Sequence, residues 1–124
     1  MLRDETIQRV LRFRDDRDWR QFHTPKDLAI SMSLEAAEVL ELFQWSGTDL
    51  ECREKLPQLQ EELADVLSYC ILLADVCGLD LDEIINEKVD KINIFIDWKN
   101  FSKKKKNPLG FTYKQIQAGF IPQF

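Results

Sequence analysis

Two acidic pairs, Glu35-x-x-Glu38 and Glu62-x-x-Asp65, stand in stretches that are otherwise apolar and helix-patterned. A three-residue offset places both side chains of a pair on one helix face. Either pair alone reads as a solvated face. Two such helices packed antiparallel would bring four carboxylates to one small volume, and that much negative charge away from bulk water calls for an opposing cation. Oxygen-only ligands select a hard divalent ion: magnesium first, with manganese or calcium as alternatives. Magnesium's near-octahedral shell keeps places for water and phosphate, so the cradle suits phosphate chemistry better than a closed structural role. A di-iron bundle would instead want Glu-x-x-His pairs, and the single histidine, His23, lies before the second helix, outside either acidic pair. Ala36, Ala37 and Ala64 beside the acids allow close helix approach, and Glu41 and Glu61 are further acids in reach.

The elements that must carry these acids are legible from periodicity and punctuation. A first helix is expected from Asp4 to Asp16, with Ile7, Val10, Leu11 and Arg14 at helical spacing. The second is expected to open at Thr24-Pro25-Lys26-Asp27, where Thr24 caps and Pro25 takes the first helical position, and to run to Trp45 before Gly47. A third, apolar around much of its circumference, should start near Pro57 and stop at Gly78. The fourth opens with the capping signature Asp80-x-x-Glu83 and carries Ile84, Ile85, Val89 and Ile92. Short connections between long helices imply antiparallel neighbours, so the expected fold class is all-α, a four-helix bundle. Beyond Ile92 the pattern changes. Ile92 to Trp98 alternates in the manner of a strand, Lys103 to Lys106 is a solvated charge run, and residues 93–124 read as a basic, atypical, loosely ordered tail after a domain spanning 1–92.

Composition narrows the classes. With 124 residues, 44% hydrophobic and 31% charged, the chain suits a single globular domain. No apolar run approaches the roughly 18 residues of a membrane span, and the charged start Met1-Leu2-Arg3-Asp4-Glu5 lacks the pattern of a secretory signal. A cytoplasmic location is the expectation. Net charge is -5, but six lysines against one aspartate give residues 93–124 a net of +5, leaving -10 on residues 1–92. An acidic body argues against general nucleic-acid binding, and four successive lysines attract phosphate without reading bases. Cys70 and Cys77 on one helix would stand about 10 Å apart, too far to bridge, so free thiols are expected.

The segments Trp19-Arg-Gln-Phe-His23-Thr-Pro25-Lys-Asp-Leu28, Glu35-Ala-Ala-Glu38, Leu42-Phe43-Gln44-Trp45 and Glu61-Glu62-Leu63-Ala64-Asp65-Val66 together resemble the MazG-like all-α nucleotide pyrophosphohydrolases, nearest to their dCTP pyrophosphatase branch. The resemblance spans about residues 5 to 91. It implies a helical bundle assembled as a homodimer or homotetramer. The activity it implies is magnesium-dependent hydrolysis of a deoxynucleoside triphosphate, dCTP favoured, to the monophosphate and pyrophosphate. By position Glu35, Glu38, Glu62 and Asp65 correspond to metal ligands; Trp19, His23, Trp45 and Tyr69 fall at substrate-binding positions, and Lys88 at a phosphate contact. Glu38 or Glu41 would orient the attacking water. Two departures stand out: a histidine frequent in the first helix is replaced near Val10, and Ile92 stands where an asparagine is usual, with Asn93 one residue late and no basic-Tyr-Pro segment after it. The first weakens the assignment of the base, and the second favours, as the alternative, an inactive helical dimer serving as a nucleotide-binding or scaffold module.

Overall fold

A computed structural model describes residues 3–47 and 52–101, with 95–101 given by backbone alone. Four α-helices follow in order: α1 (Asp4–Asp15), α2 (Pro25–Glu41), α3 (Leu56–Val76) and α4 (Leu81–Phe101), with short 3-10 turns at Trp19–Phe22 and Arg53–Lys55. Among the described residues there is no strand, so the expected all-α class holds. The chain divides into two compact units, residues 1–80 and residues 81–124.

Local chemistry sets the helix ends. Thr24 Oγ1 accepts a hydrogen bond from the Asp27 N–H at 3.1 Å, and Pro25 fills the first position, whose N–H no helix would use. α2 is shorter than its apolar pattern suggests, ending at Glu41 rather than Trp45. The following N–H groups bond three residues back: Leu42 to the Val39 carbonyl at 3.3 Å, Phe43 to Leu40 at 3.0 Å and Ser46 to Phe43 at 3.2 Å. Turns therefore replace the helix over Leu42–Trp45. α3 ends in a Schellman motif, with Gly78 at φ +66°, Leu79 N–H donating to the Ala74 carbonyl at 2.8 Å and Gly78 N–H to Asp75 at 3.1 Å.

In the first unit α2 and α3 pack antiparallel. The Cys70 thiol donates to Met32 Sδ at 3.5 Å, Glu38 meets Glu62, and Lys55 Nζ lies 5.0 Å from the Phe43 ring centroid. Rising numbers on one helix meet falling numbers on the other. α1 is tied to α3 by an ion pair, Arg14 Nη1 to Asp75 Oδ2 at 2.6 Å. Leu28, Ile71, Leu72 and Ala74 are the buried apolar side chains of this unit, a small set that leaves Ile30 and Leu34 of α2 and Leu63 and Leu67 of α3 exposed.

The second unit holds α4, which corrects one expectation. Ile92 to Trp98 is helical rather than strand-like, and the helix runs on to Phe101. Ile85, Val89, Ile92 and Ile96 continue a spacing of four, three and four residues, and extending an existing helix costs no new nucleation. The lysine run Lys103 to Lys106 and the rest of the tail lie outside the described residues. No helix among the described residues is long and apolar enough to cross a membrane.

Candidate functional site

The antiparallel register of α2 and α3 gathers the acids. Glu35, Glu62 and Asp65 each place a carboxylate oxygen within 4.8 Å of the other two. Glu38 is exposed but shares a hydrogen bond with Glu62, so the fourth acid joins through that contact. Glu41 and Glu61 are exposed and outside this group.

The electrostatics record the crowding. The hydrogen bond with Glu38 pushes the Glu62 carboxyl up to about 7, helped by loss of solvent and by the charges of Glu38, Asp65 and Glu35. Glu35 is raised as well, by loss of solvent and then by Glu38 and Asp65. Glu62 Oε2 is closed off from solvent and has no hydrogen-bond partner. An acid so placed holds a proton where a cation could stand. All-oxygen donors, mutual repulsion and one orphaned buried oxygen fit a hard divalent ion, whose binding would release that proton.

Beside the acids lies a cavity of about 360 Å³, walled by Val10, Phe13 and Arg14 of α1, by Trp19 and His23, and by Asp65, Tyr69 and Leu72 of α3. Asp65 belongs to both features, so the cavity opens onto the acidic cluster. Trp19 is held edge-on to Phe13, with centroids 5.8 Å apart and planes at 75°. The Arg17 guanidinium covers the Phe13 ring at 3.5 Å and lies 5.7 Å from Trp19. Those contacts orient an aromatic wall suited to stacking a flat ligand. His23 Nδ1 is buried without a partner, and burial, with the positive charge of Arg14, lowers the imidazole's pKa, so the ring is neutral at pH 7.

Of the residues nominated from sequence, Trp19, His23, Tyr69 and Asp65 share this cavity. Trp45 is 91% exposed in the turn after α2 and does not line it. Lys88 is half-buried on α4, in the second unit. Sequence reasoning gave no role to Arg14 and Asp75. Arg14 is 2% exposed, with Nε donating to Asp15 Oδ1 at 2.7 Å and Nη1 to Asp75 at 2.6 Å. Its signal was present: a charged residue in register with Ile7, Val10 and Leu11 on the inward stripe of the first helix.

Comparison with known proteins agrees with this architecture. The sequence profile of the MazG-like family matches residues 30–107. dCTP pyrophosphatase 1 of Homo sapiens is 43% identical over 94 residues, and that of Mus musculus 39% over 92; each alignment covers 69% of this chain and 54% of the relative. The chain thus spans about half the length of these curated relatives. The crystal structure of a pyrophosphatase from Archaeoglobus fulgidus superimposes with a TM-score of 0.67 at 39% identity, covering 71% of this chain and 85% of the other. The family profile spans both acidic pairs and more than half of the sequence: this chain belongs to the MazG-like family.

Proposed function

We propose that the protein is a nucleoside triphosphate pyrophosphohydrolase that cleaves a deoxynucleoside triphosphate, with dCTP preferred, to the monophosphate and pyrophosphate. The observation that carries this is a carboxylate cluster sharing Asp65 with an aromatic-walled cavity. One arrangement thereby offers a place for a phosphate chain beside the carboxylates that would hold a metal and, adjoining it, a place for a base. The relatives named as dCTP pyrophosphatases support the choice of bond and base.

Glu35, Glu38, Glu62 and Asp65 would hold magnesium, with manganese as a substitute. When bound, the ion supplies positive charge to the phosphate oxygens and offsets the charge that develops as the phosphoanhydride breaks. The chain's own residues do the rest. Trp19 and Tyr69 flank the base, His23 offers a neutral ring nitrogen to it, and Glu38 or Glu41, each able to accept a proton, orients the water attacking the α-phosphorus. Closing the base against Trp19 and Leu72 excludes bulk solvent and fixes the angle of approach, and such positioning is where most of the acceleration in this chemistry arises.

Assembly belongs to the same proposal. Ile30 and Leu34, four residues apart, form one exposed apolar stripe on α2; Leu56, Leu63 and Leu67 form another on α3. The antiparallel register sets Leu34 level with Leu67. A second copy covering these stripes gives a homodimer or homotetramer and would bring a Trp45 to a neighbour's cavity. The activity test is direct: pure protein, magnesium and each of the four dNTPs, with products resolved by chromatography. dNMP plus pyrophosphate is expected, fastest with dCTP. Release of orthophosphate would reject the assigned bond, and magnesium-dependent nucleotide binding without turnover would leave a binding module instead.

A further inference from the structure

Arg14 is the one buried charged side chain among the described residues, and nothing in metal or phosphate handling calls for it. It lines the base-sized cavity at the end held by Asp75, while Asp65 of the acidic cluster lines the same cavity. Its partner Asp75 is ten residues beyond Asp65 on α3, an axial separation of about 15 Å. Apolar Val10, Phe13, Trp19 and Leu72 share the cavity wall with polar side chains, exposed Arg9 among them, and Arg14 is the guanidinium of that wall that is buried and held by carboxylates. Ion pairing consumes only part of Arg14. Nε serves Asp15 and Nη1 serves Asp75, and neither bond uses Nη2. A guanidinium carries five N–H donors and no acceptor. His23 lines the same cavity with its Nδ1 buried and unpartnered. A buried polar atom left without a partner is costly, and one supplied by a ligand removes that cost on binding.

We propose that Arg14 is a base-reading, specificity-determining residue: its Nη2 donates to the N3 and O2 acceptors of a cytosine, while His23 Nδ1 accepts from the cytosine amino group. The match is one of pattern. Along its pairing edge cytosine presents a donor and then two acceptors, whereas thymine presents an acceptor, a donor and an acceptor. One ring-nitrogen acceptor beside a donor-only guanidinium fits the first order and opposes the second. Asp75 and Asp15 are positioning residues in this scheme, holding the guanidinium plane so that Nη2 is left to the cavity. An Arg held by carboxylates is pre-organised and loses little freedom on meeting its ligand. This deepens the nucleotide-hydrolase reading and rests on it for the identity of the ligand.

The test uses the full chain and two readouts. Calorimetric titration of dCMP and of dTMP, without metal, reads base recognition apart from turnover; steady-state kinetics with magnesium and dCTP or dTTP reads the reaction. The variants are Arg14→Lys, which keeps the charge against Asp75 but loses the planar fork, and the pair Arg14→Met with Asp75→Leu, which replaces the ion pair by apolar volume. In both variants the preference for dCMP over dTMP should fall about tenfold or more, the scale of one lost charged hydrogen bond. KM for dCTP should rise with kcat little changed, and dTTP should be nearly unaffected. Equal losses for both nucleotides in a variant with native circular dichroism would reduce Arg14 to a structural role and overturn the proposal. Equal dCMP and dTMP affinities in the unmodified chain would overturn it too. Selective dCMP binding, lost in the variants, with no turnover of any triphosphate would uphold the base-reading role and reject the hydrolase instead.

Discussion

Replacing Asp75 with alanine tests how much of the first unit depends on one buried charge. Arg14 is 2% exposed and Asp75 29%, and their contact is 2.6 Å. Removing one partner of a buried pair costs about 3–5 kcal/mol, because the survivor stays desolvated without compensation. Two features move this site to the low end. Asp15 keeps its 2.7 Å contact with Arg14, although that carboxylate is 54% exposed and screened by water. Arg20, 61% exposed and 3.6 Å from Asp75, contributes next to nothing either way. The expected loss for Asp75→Ala is therefore about 3 kcal/mol. Asp75→Asn keeps an acceptor but not the charge and should lose about half of that. The double replacement Arg14→Met with Asp75→Leu should recover most of it, since neither charge is then buried. Urea unfolding at fixed protein concentration, with the slope unchanged across variants, gives these differences. A loss below about 1 kcal/mol for Asp75→Ala, or a double variant as costly as the two single ones added, would refute the claim that this pair is sequestered from water.

Three further outcomes follow from the same geometry. Because the carboxyl of Glu62 sits near 7 when folded against 4.5 as its ordinary value, the folded state binds the extra proton, so the metal-free protein should lose stability as pH rises from about 4.5 through about 7; a thermal melt series that rises over that window would contradict it. Glu62→Gln should flatten that loss and also abolish the thermal shift produced by magnesium at pH 8, both read in the same melts. Gly78→Ala should cost about 1 kcal/mol through backbone strain alone, since Gly78 is at φ +66° and a Cβ there would meet nothing within 4 Å. Leu34→Glu should convert a dimer to monomer in light scattering; an unchanged mass would remove the α2 stripe from any interface.

Most of the fold was legible because its signals are local. Thr24 and Pro25 start α2, and Gly78 ends α3, through chemistry contained within a few residues. The misread segments share the opposite property. Leu42 to Trp45 is apolar enough to continue α2, but its backbone turns through bonds to the third residue back, a choice no side-chain pattern encodes. Ile92 to Trp98 alternates, yet it is also in register with Ile85 and Val89, and an existing helix extends more readily than a strand can start alone. The acids were legible as a pair of pairs. The Arg14–Asp75 tie was not, because it joins residues 61 positions apart and depends on how α1 meets α3.

The site and the packing of the first unit draw on the same row of α3. Glu62, Asp65, Tyr69, Leu72 and Val76 are spaced three, four, three and four residues, the seam along which a helix meets its neighbours. Toward the C-terminal end that row is ordinary: Leu72 is buried and Val76 half-buried. Toward the N-terminal end the same positions carry carboxylates, which repel Glu35 and Glu38 across the α2 interface, and the crowding raises the Glu62 carboxyl to about 7 and Glu35 above its ordinary value. Apolar residues there would pack better and bind nothing. The local rule is broken only where a cation would restore it, the pattern expected when stability is given up for a site. Between the two ends stands Tyr69, flanked by Asp65 and Leu72 in the wall of one cavity. A single rigid helix thus fixes the distance between the acidic cluster and the aromatic-walled cavity, so a ligand that spans both would be selected by length as well as by the groups at its ends.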